Sequence, residues 1–99
     1  MDLRHLKYFI AVAEEQNIGR AATRLHISQP PLTRQIQQLE EELGVQLFVR
    51  TPKGVEITQA GTLLLEEARN IRSLVEQATE RTQRAGQGKL GRLDGASFG

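Results

Sequence analysis

The chain has 99 residues, a low hydrophobic content of 38% and a formal net charge of +1 at pH 7. This length supports one small domain, which buries only about 60% of the surface of its unfolded chain, so some apolar surface is expected to need a partner. The absence of cysteine excludes a disulfide framework and a thiolate metal site and fits a reducing compartment. No apolar run has the length of a membrane span, and no signal-peptide core follows Met1. An intracellular protein without membrane contact is therefore predicted.

Two amphipathic helices are predicted at the start of the chain. Asp2 is a suitable N-cap for the first helix, which runs from Leu3 to about Glu15 with apolar residues at helical spacing. A shorter helix follows, and either Asn17 or Gly19 is a suitable cap for it.

A third helix, predicted over about 29–43, has two different faces. Ser28 is a suitable cap, and Pro30 and Pro31 lie in the first turn, where a missing N–H is tolerated. One face is an apolar stripe, and the other carries amides and an arginine but no carboxylate. Two helices joined by a short turn, the second exposing a polar face, form the helix-turn-helix pattern.

A β-hairpin that forms a wing over about 47–57 is predicted next. Its first strand is expected over 45–50, and the proline and glycine of the following turn fit type I geometry before the chain returns as a second strand. Arg50 and Lys53 place charge near the wing tip, within reach of a phosphate or the minor groove.

The last predicted helix is long, from Gln59 to about Arg84, and Thr58 is a suitable cap for it. Its apolar and small residues alternate at coiled-coil spacing, and a helix of this length cannot bury both ends in so small a domain. Pairing with the same helix of a second chain is therefore expected, with a solvated helix lying on its own domain as the alternative. The expected dimer contacts are Leu64, Ala68, Ile71, Val75, Ala78 and Thr82.

The predicted fold class is mainly α: a winged helix-turn-helix of three helices and a two-stranded wing, followed by a long dimerisation linker helix. The predicted parts are a DNA-binding domain over 1–58, the linker helix over 59–86 and a glycine-rich hinge over 87–99. The hinge is expected to lead to a C-terminal domain absent from this chain. The letters Gly-x-Gly-x-x-Gly begin at Gly86, at the end of the linker helix, and continue into the hinge, but they follow a helix rather than a strand, which argues against a dinucleotide site.

The candidate DNA-binding residues lie in a stretch with three arginines and no acid, from Asn17 to Leu39. Arg34 is positioned to pair with a guanine or to contact a phosphate, and Gln29 to pair with an adenine or to cap its helix. The predicted DNA-binding set is Ser28, Gln29, Pro30, Pro31, Thr33, Arg34, Gln37, Arg50 and Lys53. The acidic run 40–42 is expected to be a solvated face that repels phosphate. With two histidines and no cysteine, no metal site is expected, and no nucleophile–base arrangement supports an enzyme.

Four stretches of the chain form a recognisable pattern. They are Leu6-Lys7-Tyr8-Phe9, Ala21-Ala22-x-x-Leu25-His26-Ile27-Ser28-Gln29-Pro30-Pro31-Leu32-Thr33-Arg34-Gln35-Ile36, Leu39-Glu40-x-x-Leu43-Gly44-x-x-Leu47-Phe48-x-Arg50 and Ile57-Thr58-x-x-Gly61. This pattern resembles the N-terminal domain of LysR-type transcriptional regulators. The Pro30-Pro31 pair is similar to the subgroup that controls bacterial degradation of catechols, chlorocatechols and related aromatics. Gly19 departs from the family, where a Ser or Thr is common.

The resemblance implies sequence-specific binding of double-stranded DNA by a bacterial regulator, as a homodimer on an interrupted palindrome. It also implies a tetramer at full length, RNA polymerase as a further partner, a cytoplasmic location at the nucleoid, and a small-molecule inducer bound by the missing C-terminal domain, with no cofactor in this chain. The alternative is a dimeric coiled-coil module that binds protein and not DNA.

Overall fold

The computed structural model describes residues 1–89 and is mainly helical. Its elements are α1 (Leu3–Glu15), α2 (Ile18–Leu25), α3 (Gln29–Leu43), β1 (Phe48–Thr51), β2 (Gly54–Ile57) and α4 (Gln59–Lys89). The three helices, the two-stranded wing and the long last helix confirm the predicted fold class. Most of the predicted hinge, residues 90–99, lies outside the described residues. Within residues 1–89, none of the helices combines the length and the apolar character needed to cross a membrane.

Three of the four helices begin at a side-chain cap. The side-chain oxygens of Asp2, Asn17 and Thr58 each accept a hydrogen bond from the backbone N–H three residues later, at 2.8, 2.9 and 3.0 Å. The caps of α1 and α4 are those predicted from the sequence. The cap of α2 is Asn17 and not Gly19.

The start of α3 has no side-chain cap, which corrects the prediction for Ser28. Ser28 occupies the N-cap position with an extended backbone, but its hydroxyl makes no capping hydrogen bond. An N-cap side chain normally accepts a hydrogen bond from the N–H two or three residues later. Those residues are Pro30 and Pro31, which have no N–H to donate.

The turn between α2 and α3 depends on His26. Its φ of 60° lies in the left-handed region, where histidine is more common than most side chains but far less common than glycine. The N–H of Ile27 donates to the carbonyl of Ala22 at 3.0 Å, which closes the turn and directs the chain into α3.

The core lies among the first three helices and the start of the wing. Its largest completely buried side chains are Phe9, Val12, Leu32, Leu39 and Leu47. The rings of Phe9 and Phe48 lie 5.3 Å apart between centroids, a distance at which aromatic pairs attract. This contact joins the first strand of the wing to α1.

The wing is shorter than the sequence predicted. β1 pairs antiparallel with β2 from Phe48 opposite Ile57 to Thr51 opposite Gly54, and residues 45–47 are not a strand. The predicted strand start at residue 45 is therefore wrong, because β2 is too short to pair with a six-residue strand.

Gly54 brings the wing against the turn that follows α1. Its φ is 137°, a conformation that side chains rarely adopt, and a Cβ there would lie 2.5 Å from the carbonyl oxygen of Gln16. The next residue, Val55, donates its N–H to that same oxygen at 3.2 Å. Glycine at this position therefore allows the wing to pack against the backbone of the turn that follows α1.

The first turns of α4 and the wing belong to the same compact unit, and this unit spans Met1–Arg69. A Cβ on Gly61 would lie 2.4 Å from the carbonyl oxygen of Leu47, so only glycine permits this close approach. Ala68 is completely buried within the single chain, which removes its side chain from the surface that a second chain is able to contact.

The second unit begins at Asn70 and is described up to Lys89. Ile71 is half-buried and the residues from 72 to 88 are exposed, including Leu74 at 64% and Val75 at 43% of full exposure. The helix also passes through Gly86 and Gly88, beyond the end that was predicted for it.

Candidate nucleic-acid interface

The first half of α3 presents its polar face at the surface. Ser28, Gln29, Pro30, Arg34 and Gln37 are exposed, and Pro31 and Thr33 are half-buried. The opposite stripe of α3, at 32, 36 and 39, is buried in the core. Helical spacing therefore separates the two faces as predicted, and no carboxylate lies between residues 16 and 39 to repel a phosphate.

The three arginines of this stretch differ in availability. The guanidinium of Arg24 contacts carboxylate oxygens of Glu14 at 2.8 Å and Glu15 at 3.3 Å, so it is already paired within the domain. Arg20 and Arg34 are exposed and show no ion pair within residues 1–89. These two side chains are the accessible cations of the helix-turn-helix.

Glu14 connects three helices of the N-terminal unit. It lies on α1 and contacts Arg24 of α2 and Arg69 of α4, the latter at 2.9 Å. Partial burial tends to raise the pKa of Glu14, but the hydrogen bonds from Arg69 and Arg24 outweigh that effect and hold its pKa below the ordinary value. The network stays ionised at neutral pH and ties α2 and the first turns of α4 to α1.

A groove separates α3 from the wing and collects three of the predicted residues. Thr33, Gln37 and Arg50 all line this cavity of about 240 Å³. Gln46 and Val49 line it as well, and sequence reasoning did not select either of them. The remaining predicted residues lie outside its lining: Ser28, Gln29, Pro30, Pro31, Arg34 and Lys53.

Lys53 is exposed in the two-residue connection between β1 and β2, at the wing tip. Its backbone N–H donates to the hydroxyl of Thr51 at 3.2 Å, and that hydroxyl donates to the carbonyl of Gly54 at 3.3 Å. The tip is thus internally hydrogen-bonded and presents one cation to the surroundings. The described residues contain no cluster of three or more His, Asp or Glu that is arranged to hold a metal ion.

Gln29 lies against the first turn of α2, at the position of Gly19. A Cβ on Gly19 would lie 3.2 Å from Nε2 of Gln29 and 3.2 Å from Oδ1 of Asn17. The Asn17 oxygen is held in place by its capping hydrogen bond, whereas Gln29 is exposed. A Cβ at position 19 would therefore crowd the Gln29 amide, which could move away more easily than the Asn17 oxygen.

The environment of Glu40 differs from the prediction. It was expected to be solvated, but it is half-buried and its Oε2 accepts hydrogen bonds from the N–H groups of Leu47 at 2.7 Å and Phe48 at 3.2 Å. Leu47 lies before β1, so its N–H needs an acceptor outside the hairpin, but no local pattern in the sequence indicates that Glu40 is this acceptor.

Comparison with known proteins identifies relatives of this arrangement. Residues 3–62 match the family described as bacterial regulatory helix-turn-helix protein, lysR family. The HTH-type transcriptional regulator ClcR of Pseudomonas putida is 59% identical over 99 residues, covering 100% of this chain and 34% of ClcR. The chain therefore spans about a third of the length of this relative.

Solved structures extend the similarity to three dimensions. The DNA-binding domain of CbnR, crystallised in complex with DNA, is 52% identical with a TM-score of 0.81, covering 87% of this chain and 99% of that one. The corresponding domain of BenM in complex with the catB site 1 DNA is 49% identical with a TM-score of 0.84, covering 87% of this chain and 97% of that one.

Proposed function

The chain belongs to the lysR family of bacterial regulatory helix-turn-helix proteins, and on that basis we propose that it binds double-stranded DNA sequence-specifically as part of a transcription regulator. The observation that carries the proposal is the exposed, acid-free first half of α3, which shares a groove with the wing. An α-helix fits the major groove, where base edges carry a distinguishable pattern. The proposed role is binding alone, without a catalytic step.

In the proposed complex, the first half of α3 enters the major groove. Arg34 pairs bidentately with a guanine, and Gln29 contacts an adenine edge. Pro30 and Thr33 lie at the thymine methyl groups. Both side chains are exposed, and Arg34 makes no ion pair within residues 1–89, which supports this assignment.

The wing is proposed to contact the DNA backbone or the minor groove through Arg50 and Lys53. Both side chains are exposed, and Arg50 lines the groove beside α3. Contacts of this kind position the protein without reading bases. They are expected to contribute to the affinity for every duplex alike.

We further propose that two chains dimerise through α4 and bind an interrupted palindrome, with half-sites one or two helical turns apart. The exposure of Val75, at 43%, supports an apolar partner surface at the proposed seam. The proposed contacts are Leu64, Ile71, Val75, Ala78 and Thr82. Ala68 is left out of this set because it is completely buried within its own chain.

The full-length protein is proposed to resemble the longer relatives, of which this chain covers about a third. A further C-terminal domain would bind a small-molecule inducer, assemble dimers into a tetramer and contact RNA polymerase. The Pro30-Pro31 pair and the similarity to ClcR support the control of genes for the breakdown of aromatic compounds. Such a regulator acts in the bacterial cytoplasm, at the nucleoid.

The experiment that tests this function does not require the operator sequence in advance. Duplexes are selected from a random-sequence pool with the 99-residue chain, and the enriched duplex is titrated by fluorescence anisotropy at two salt concentrations. We expect an interrupted palindrome and a linear fall of log affinity with log salt. A pool without enrichment, or an enriched duplex without measurable binding, would favour the protein-binding module instead.

A further inference from the structure

We propose that Glu40 is a positioning residue that holds the wing against α3 and thereby sets the wing's contact with DNA. The structural part of this inference stands without DNA. Its consequence for affinity rests on the proposed function, so the two parts are tested separately.

One carboxylate oxygen connects the two elements. Oε2 of Glu40 lies 2.7 Å from the N of Leu47, which precedes β1, and 3.2 Å from the N of Phe48, which begins it. Hydrogen bonds to an ionised acceptor are roughly twice as strong as neutral ones, and this carboxylate is partly shielded from water. The acidic side chain therefore anchors the wing where it leaves the turn after α3.

The same segment is held from its other side by the N-cap of α4. The hydroxyl of Thr58 donates to the carbonyl of Gln46 at 2.7 Å, and the N–H of Thr58 donates to the carbonyl of Leu47 at 3.0 Å. The N–H groups of residues 47 and 48 thus donate to α3, whereas the carbonyls of residues 46 and 47 accept from Thr58 at the start of α4. If Glu40 is removed, the carbonyls keep their partners, but two N–H groups are left without theirs.

The position of Glu40 in the groove links its hydrogen bonds to the proposed DNA contacts of the wing. Glu40 lines the cavity that α3 forms with β1, together with Gln37 on one side and Arg50 on the other. Freeing the start of β1 lets Arg50 and the wing tip move relative to α3. Both elements must meet one duplex at a fixed spacing, so this movement is expected to loosen the phosphate contacts of the wing.

Whether removal of Glu40 weakens or strengthens DNA binding distinguishes a positioning role from a purely electrostatic effect. Glu40 is negative, so removing it on electrostatic grounds alone strengthens binding to phosphate. A positioning role predicts weaker binding instead. Glu41 provides the matched control, because it is the adjacent acid on the same helix and is exposed.

The first experiment measures amide hydrogen exchange by NMR in the DNA-free 99-residue chain. Glu40→Ala should increase the exchange rates of the Leu47 and Phe48 amides at least about tenfold relative to wild type, while amides in α1 stay protected. Glu40→Gln retains an acceptor oxygen and should recover part of the protection; it carries the test if Glu40→Ala does not fold. Unchanged rates at both amides, or rates matching those of Glu41→Ala, would overturn the inference.

The second experiment measures anisotropy on the selected duplex across a salt series. Glu40→Ala should weaken binding and lower the slope of log affinity against log salt by about 0.9 for each phosphate that the wing no longer neutralises. Lys53→Ala should lower it similarly, and the double variant should bind no more weakly than the weaker single variant. Tighter binding, as expected for Glu41→Ala, or fully additive effects would contradict the positioning role. If the wild type does not bind DNA, the proposed function fails, and the exchange result alone decides whether Glu40 holds the wing.

Discussion

The first half of α3 and the part of α4 beyond Asn70 are both exposed, but they expose different chemistry. The α3 surface carries amides, prolines and one guanidinium, without a carboxylate. The α4 surface carries Leu74 and Val75, which are 64% and 43% exposed, together with acids at 76 and 80 and arginines at 72, 81 and 84. The amides and the guanidinium of the first surface suit base edges and phosphates, whereas burying apolar area favours contact of the second surface with protein. The side chains, and not exposure itself, indicate the partner.

The largest expected effect tests the α4 surface. Ile71→Asp places a carboxylate on the proposed seam, where burial without a partner costs several kcal/mol. We expect the dimer to dissociate at least about 100-fold more readily, as measured by sedimentation equilibrium. Gln83→Asp adds the same charge at an exposed position outside the seam and should leave the dimer intact. A dimer that tolerates Ile71→Asp would assign its contacts to other residues.

The next effect tests whether the α3 surface reads bases. Arg34→Ala should weaken binding to the selected duplex by about 1–3 kcal/mol and change binding to an unrelated duplex far less, as measured by anisotropy. Arg34→Lys is the informative partner, because it keeps the charge but loses the bidentate geometry. Equal losses on both duplexes, with rescue by lysine, would make Arg34 a phosphate contact.

A smaller effect sharpens the role of Gln29 on the α3 surface. Gly19→Ala adds a Cβ within 3.2 Å of the Gln29 amide and should displace it by a few tenths of an ångström. We expect base preference at the position contacted by Gln29 to change by about 1 kcal/mol or less. Repeating the duplex selection with Gly19→Ala measures this change. In a chain that already carries Gln29→Ala, Gly19→Ala should have no further effect on base preference. An unchanged preference would separate Gly19 from recognition.

The smallest effect concerns the scaffold that carries both surfaces. The folded-state pKa of Glu14 is lowered, so its ion pairs stabilise the protein fully above the ordinary carboxyl pKa of about 4.3. That contribution is lost as the pH falls through the lower folded value. Since the partners are partly exposed, Glu14→Gln should destabilise the protein by about 1 kcal/mol or less at pH 7 and by less still near pH 3. Urea unfolding at both pH values measures this, with the exposed Glu41→Gln as the control.

Local patterns predicted the elements well, because their signals lie within a few residues. The caps at Asp2 and Thr58, the helix bounds of α1 and α3 and the buried stripe of α3 follow from side-chain oxygens and helical spacing. The left-handed His26 did not follow, because glycine is the residue that usually adopts this conformation, whereas this chain places Gln16 and His26 in it.

The parts that were missed depend on two segments at once. The wing was predicted too long because the length of its second strand, and not the character of Val45, decides how much can pair. Glu40 was assigned to solvent because the amides that it binds lie seven and eight residues further along the chain. In the candidate site, exposure of Arg34 and Gln29 followed from periodicity, whereas the packing of Gln29 on Gly19 required the angle between two helices.

The prolines at the start of α3 have a consequence for how recognition can change. A helix N-terminus usually offers several free N–H groups that hold an anion through the main chain, but Pro30 and Pro31 remove two of them. Recognition by this tip must therefore come mainly from side chains. Because main-chain contacts do not depend on the side chain, their scarcity here means that, under the proposed function, substitutions at Gln29, Thr33 and Arg34 should change which bases are bound.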